Sequence, residues 1–182
     1  MGSRAPGLPY CWGGVPYGQY PTLNPVDESG SLSFTAITTG WNYTCGLTAQ
    51  GAAYCWGFND SGQLGTDTTK RGWNPVPVSG GLTFAEVNAG FVHVCAVTLG
   101  GIGYCWGDNK SGQLGNGTQS NSFTPSAVSG GLTFAAVSSG LNHTCGLTTP
   151  GLVYCWGSDE YGQLGDGIFS RNVRTAPVRV IQ

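Results

Sequence analysis

Charge is what this sequence holds least of: only 9% of its 182 residues are Asp, Glu, Lys or Arg, against roughly a quarter in an ordinary soluble domain. The seven Lys and Arg are scattered and the formal net charge is −2. With no basic run to track a phosphate backbone, nucleic-acid binding is not expected. No apolar run approaches the roughly 18 residues of a membrane span, and Met1-Gly2-Ser3-Arg4-Ala5-Pro6-Gly7 lacks the apolar stretch of a secretion signal. Helix-forming stretches are scarce as well, because 32 glycines and 10 prolines interrupt the chain and each glycine costs a helix interior about 1 kcal/mol relative to alanine. Catalytic groups are equally sparse. There are two histidines and nine carboxylates with no paired constellation, and no serine sits in a nucleophile-elbow context.

Repetition is what the chain has instead. Tyr-Cys-Trp-Gly begins at Tyr10, Tyr54, Tyr104 and Tyr154, the last three copies fifty residues apart and the first gap forty-four. Gly-Gln-Leu-Gly follows at Gly62, Gly112 and Gly162, while Phe34, Phe84 and Phe134 open a segment upstream of Cys45, Cys95 and Cys145. Each unit is expected to hold four short strands: the Phe-x-x-Val segment, the His-x-Cys segment, the Tyr-Cys-Trp segment, and one ending at Val78, Val128 or Val180. Four strands in about fifty residues is the arithmetic of a propeller blade.

The middle two strands read as a hairpin. A three-residue loop Thr149-Pro150-Gly151 sets Cys145 opposite Cys155 and puts glycine at the third loop position, where a left-handed residue is wanted. The two-residue period of a strand then sorts Cys145, Leu147, Val153 and Cys155 onto one face and Thr144, Gly146, Tyr154 and Trp156 onto the other. Both faces are apolar, as in a sheet covered on both sides by neighbouring blades. Gly146 opposite Tyr154 reads as cross-strand volume matching. The Trp12, Trp56, Trp106 and Trp156 series reads as core packing rather than a sugar-stacking ladder.

The pattern Gly-x-x-His-x-Cys-x-Leu-x-x-x-Gly-x-x-Tyr-Cys-Trp-Gly-x-Asn-x-x-Gly-Gln-Leu-Gly resembles the regulator-of-chromosome-condensation repeat, in the cysteine-paired variety of bacterial secreted proteins, from Tyr10 to Val180. That resemblance implies an all-β fold, a β-propeller of four-stranded blades, usually seven closed into a ring. The Tyr-Cys-Trp half of the unit occurs four times and the Phe-x-x-Val half three times, so about three and a half blades are expected. Residues 1–30 are taken as a truncated first repeat, 31–80 and 81–130 as whole repeats, and 131–182 as a final repeat lacking the following half, all in one domain. An open arc, or a fragment of a seven-bladed ring, follows. Assembly with a second chain through exposed end blades and closure into a small ring are the alternatives.

Seven cysteines give three pairs separated by ten, Cys45 with Cys55, Cys95 with Cys105 and Cys145 with Cys155. An even separation across a three-residue loop makes each pair direct cross-strand neighbours, so three disulfides are expected. Cys11 is the odd one, with Met1 in the place of its mate. Paired thiols in every unit point to an oxidising compartment, extracellular or periplasmic. His93 with Cys95 and His143 with Cys145 would lie a blade apart, so no metal site and no cofactor are expected. The sequons at Asn42, Asn59, Asn109, Asn116 and Asn142 fall on turn positions and are read as turn chemistry. Gln63, Gln113 and Gln163, between turn glycines, are read as satisfying loop backbone groups.

Variation concentrates in the connection after Gly-Gln-Leu-Gly, which carries Lys70, Arg71 and Trp73 in one unit, Phe123 in the next, and Phe169, Arg171 and Arg174 in the last. Scaffold residues repeat while these diverge, as binding loops do, and arginine with aromatic residues is contact chemistry. A non-catalytic protein-interaction module binding through these rim loops is therefore expected, its protein partner unidentified. The resemblance also implies guanine-nucleotide exchange on a small GTPase as an alternative, and a carbohydrate-binding propeller is a third reading.

Overall fold

The computed structural model describes residues 2–3, 8–13, 22–27, 31–168 and 172–181. These contain only strands and turns. Three four-stranded antiparallel meanders follow a three-stranded sheet. The first sheet comprises β1 (Gly2–Ser3), β2 (Pro9–Gly13) and β3 (Thr22–Asp27). The second blade is β4 (Ala36–Thr39), β5 (Tyr43–Leu47), β6 (Ala53–Gly57) and β7 (Gly72–Pro77). The third is β8 (Phe84–Ala89), β9 (His93–Thr98), β10 (Gly103–Gly107) and β11 (Ser122–Ala127), and the fourth β12 (Phe134–Ser139), β13 (His143–Thr148), β14 (Val153–Gly157) and β15 (Arg174–Arg179). In the first sheet Gly2 pairs with Tyr10 as Gly46 pairs with Tyr54, so β1 occupies the end of a second strand. Cys11, buried on β2, lies opposite Val26.

The hairpin register is the one expected. Cys45, Cys95 and Cys145 lie opposite Cys55, Cys105 and Cys155, and all three pairs are disulfides with Cα atoms 4.0–4.1 Å apart. Gly51, Gly101 and Gly151 take φ of 77°, 81° and 86°, the left-handed conformation that closes the loop without Cβ strain.

Blades stack face to face. The disulfide face of the second blade packs on Phe84, Val87, Val94, Ala96 and Trp106 of the third. The disulfide face of the third packs on Phe134, Val137 and Trp156 of the fourth. β8 touches β4 on one side and β12 on the other, so first strands line the inside of the arc. On the fourth blade the equivalent face is uncovered: Leu147 is 41% exposed where Leu47 and Val97 are 3%. Among the described residues the blades form an open arc, not a closed ring.

The tryptophans do what core packing requires of a polar ring. Trp106 and Trp156 are fully buried, and each indole donates backward to the carbonyl of the preceding blade's Gly-Gln-Leu-Gly glutamine, Nε1 to Gln63 O at 3.1 Å and to Gln113 O at 2.9 Å. The buried Tyr43 hydroxyl reaches from the second blade to the carbonyls of Gly90 and His93, at 2.9 and 2.6 Å, and its burial raises the phenol pKa.

One packing expectation needs correction. Gly146 does pair with Tyr154, but a Cβ there would lie 2.5 Å from the ring of Phe134, and one on Gly46 would lie 2.6 Å from Phe34. The glycine makes room for the phenylalanine that opens its own blade, not for the tyrosine opposite.

Candidate binding face

Antiparallel strands reverse at every turn, so the first turn of each blade and the connection after its third strand open at the same end. Backbone hydrogen bonds tie them there: Phe58 N donates to Asn42 O, Asp108 N to Val92 O and Ser158 N to Asn142 O, all at 2.8–2.9 Å. The hairpin tips, with the exposed Leu99 and Ile102, lie at the opposite end.

The connections are rigid at their base. In the second blade the buried Asn59 receives Leu64 N on Oδ1 at 2.9 Å and donates from Nδ2 to the carbonyls of Thr68 and Lys70 at 2.8 and 2.9 Å. Asn109 repeats this with Leu114 N and the carbonyls of Thr118 and Ser120. Gln63, Gln113 and Gln163 each accept the amide two residues earlier on Oε1 at 2.8–2.9 Å. The turn reading of the Asn59 and Asn109 sequons and of the glutamines therefore holds in atomic detail.

On this base the expected contact residues divide. The Lys70 side chain is exposed. Arg71 forks onto Asp60, Nε to Oδ1 at 3.2 Å and Nη2 to Oδ2 at 2.8 Å, with its guanidinium carbon 4.1 Å above the centre of the Phe58 ring. Trp73 is half exposed and meets Phe58 edge-on, centroids 6.4 Å apart. Phe123 sits one junction away, covering Gly62, while its carbonyl accepts Asp67 N at 3.0 Å. Arg174 is turned inward: Nε and Nη2 bind Asp166 Oδ2 at 3.0 and 2.8 Å. The Asp166 carboxyl is held below its ordinary pKa, first by the Ile168 amide and then by Arg174. Phe169 and Arg171 lie outside the described residues. Trp73, Phe123 and Arg174 stand on β7, β11 and β15 rather than in loops, because the outermost strand already pairs at Gly57 with Gly72, at Gly107 with Ser122 and at Gly157 with Arg174.

A row of exposed apolar residues at this end lay outside the expectation. Trp41, Phe91 and Leu141 occupy one repeat position in the first turn, and all are exposed, Trp41 by 52% and Leu141 by 58%. Trp41 stacks on Phe91 with centroids 5.1 Å apart and planes at 19°. A backbone ladder carries the row, Trp41 N to Phe91 O at 3.0 Å and Phe91 N to Gly140 O at 3.1 Å. Trp41 also touches Phe58 at 6.3 Å, which joins the inner row to the Arg71 and Trp73 cluster. A usable sequence signal existed: a turn position that is apolar in three units out of three, where a solvated turn would be polar.

Models of the Regulator of chromosome condensation (RCC1) repeat match residues 50–97, 101–147 and 150–182, and a second model of the same repeat matches 34–63 and 134–163. The chain belongs to this family. Its fold is that of yeast RCC1 (Prp20), seen in a crystal structure with Kap60, at a TM-score of 0.82 with 20% identity, covering 97% of this chain and 45% of that one. Human WBSCR16 matches with a TM-score of 0.80 and 23% identity, over 97% of this chain and 49% of that one. The ectodomain of the Physcomitrella patens receptor kinase CR4 gives 0.51 and 28% identity, over 69% of this chain and 29% of that one. The chain thus spans less than half the length of these solved structures. No curated protein matches it in sequence. Among the described residues no helix is long and apolar enough to cross a membrane.

Proposed function

We propose that the chain is a non-catalytic protein-interaction module that binds a protein partner through the end of the blades carrying Trp41, Phe91 and the Phe58, Arg71 and Trp73 cluster. The observation that carries this is the exposed Trp41 and Phe91 stack, continuous with an arginine fixed over an aromatic ring. Rigid aromatics and a pre-ordered guanidinium lose little entropy on binding, which is what contact hot spots require. Solved relatives are known with protein partners: yeast RCC1 bound to Kap60, and Prp20p with binding properties to Gsp1p and histones. Three disulfides and the likeness to a receptor ectodomain support an extracellular or periplasmic setting. Units at 1–30, 31–80, 81–130 and 131–182 of one domain complete the proposal.

The test uses a partner recovered by cross-linking and two double variants. Trp41→Ala with Trp73→Ala is expected to weaken binding at least tenfold, whereas Leu99→Ala with Ile102→Ala at the opposite end leaves it unchanged. The reverse pattern rejects the assigned face.

A further inference from the structure

Position 159 breaks the rule of its repeat. Asn59 and Asn109 each use one oxygen to accept a leucine amide and one NH2 group to hold a ring of oxygens together. For Asn59 these are Thr66 Oγ1 and the carbonyls of Thr68 and Lys70, at 2.8–3.4 Å. For Asn109 they are Asn116 Oδ1, Thr118 O and Oγ1, and Ser120 O, at 3.0–3.2 Å. Asp159 keeps the first half, accepting Leu164 N on Oδ1 at 3.1 Å. Its Oδ2 therefore stands where the NH2 group stands in the other blades. It has no hydrogen-bond partner, although the residue is 1% exposed.

The neighbouring position is also acidic. Asp166 replaces Thr66 and Asn116. Its Oδ1 accepts Ile168 N at 2.9 Å, as Asn116 Oδ1 accepts Thr118 N at 3.1 Å while facing Asn109 Nδ2. Arg174 takes Asp166 Oδ2 and compensates that carboxylate. No ion pair among the described residues compensates Asp159. A buried carboxylate oxygen with neither donor nor counter-charge, turned into a pocket whose counterparts are oxygen-lined, is costly unless a positive group fills the gap.

We propose that the Asp159 and Asp166 corner of the last blade is a binding site for a hard divalent cation of the calcium type, which takes the place of the asparagine NH2 group. Two carboxylates with no sulfur or imidazole ligand beside them are calcium chemistry, and the ion completes its shell of 6–8 oxygens with water. Two carboxylates, one already shared with an arginine, suit the modest affinity of extracellular calcium modules, about 10⁻⁴–10⁻³ M. The site does not depend on the binding face described above.

Asp159→Asn is the decisive variant, because it installs the residue that two other blades already use and so does not threaten the fold. In calcium-stripped wild type, isothermal titration with calcium chloride is expected to show one site, and about 10 mM calcium to raise Tm by roughly 3–10 °C. Asp159→Asn is expected to abolish both responses and to melt higher than calcium-free wild type. A calcium response that survives in Asp159→Asn overturns the assignment. So does a wild type whose titration heat and Tm both ignore calcium.

Discussion

The imidazole Nε2 of His93 lies 2.9 Å from the Thr144 hydroxyl, across the junction of the third and fourth blades. The hydroxyl proton of Thr144 is engaged with Gln113 O at 2.9 Å, so Nε2 donates and the ring is held in the Nε2–H tautomer. Nδ1 is then a buried acceptor, and it has no hydrogen-bond partner. A neutral ring is locked into a junction that has nothing to receive a second proton.

Acid should therefore loosen this junction. Burial, with a smaller contribution from His143, lowers the His93 pKa from 6.5 to about 3, while in the unfolded chain it titrates normally. Between those values the unfolded state binds the extra proton, so the stabilisation is full above pH 6.5 and is lost as pH falls toward 3. His143, also lowered by burial, acts with the same sign. Urea midpoints of wild type are expected to drop steeply from pH 7 to pH 4 and those of His93→Gln to drop less. Equal slopes would place the acid sensitivity elsewhere.

The indole of Trp156 fills the junction and donates to Gln113 O. Trp156→Ala is expected to cost about 3–5 kcal/mol, and Trp156→Phe, which keeps most of the ring but leaves the carbonyl with only its Thr144 donor, about 1–3 kcal/mol. Denaturant titration checks both, and a Phe variant as damaged as the Ala variant would mean that the hydrogen bond, not the filled volume, dominates.

Two left-handed glycines separate strain from contact. Gly115 and Gly117 have φ of 65° and 85°, but a Cβ on Gly115 would lie 2.7 Å from Trp156 Nε1, whereas one on Gly117 meets nothing within 4 Å. Gly117→Ala is expected to cost about 1–2 kcal/mol from backbone strain alone. Gly115→Ala should cost about 2–5 kcal/mol, because the tryptophan must also shift. Equal losses would show that the indole yields freely.

Each disulfide closes a short loop, so in the chain-entropy description Cys95→Ala with Cys105→Ala is expected to lower stability by about 2–3 kcal/mol. Thiol titration of unfolded, unreduced wild type should leave the three pairs unreactive. Full reactivity at all of them would remove the bridges.

Fold legibility came from redundancy. The strand period, the ten-residue cysteine spacing and the Thr149-Pro150-Gly151 loop all dictate one register, and a one-residue slip would separate the cysteines and turn Trp156 out of the junction. The binding face was less legible because its residues do not vary as a set. Trp41, Phe91 and Leu141 repeat like scaffold, so a search for divergent loops passes over them. Arg174 diverges like a contact residue yet is spent on Asp166, a pairing that depends on where β15 begins. The role of Asp159 was equally hidden, since an Asn-to-Asp change reads as conservative until Asn59 and Asn109 show what the lost NH2 group holds.

The central functional claim is that partner binding covers one end of the blades, and hydrogen–deuterium exchange on the complex tests it most directly. Protection is expected in peptides spanning residues 39–43, 58–73 and 89–93, with none at the hairpin tips 48–52 and 98–102. Protection confined to those tips, or to the uncovered face around Leu147, would contradict the account.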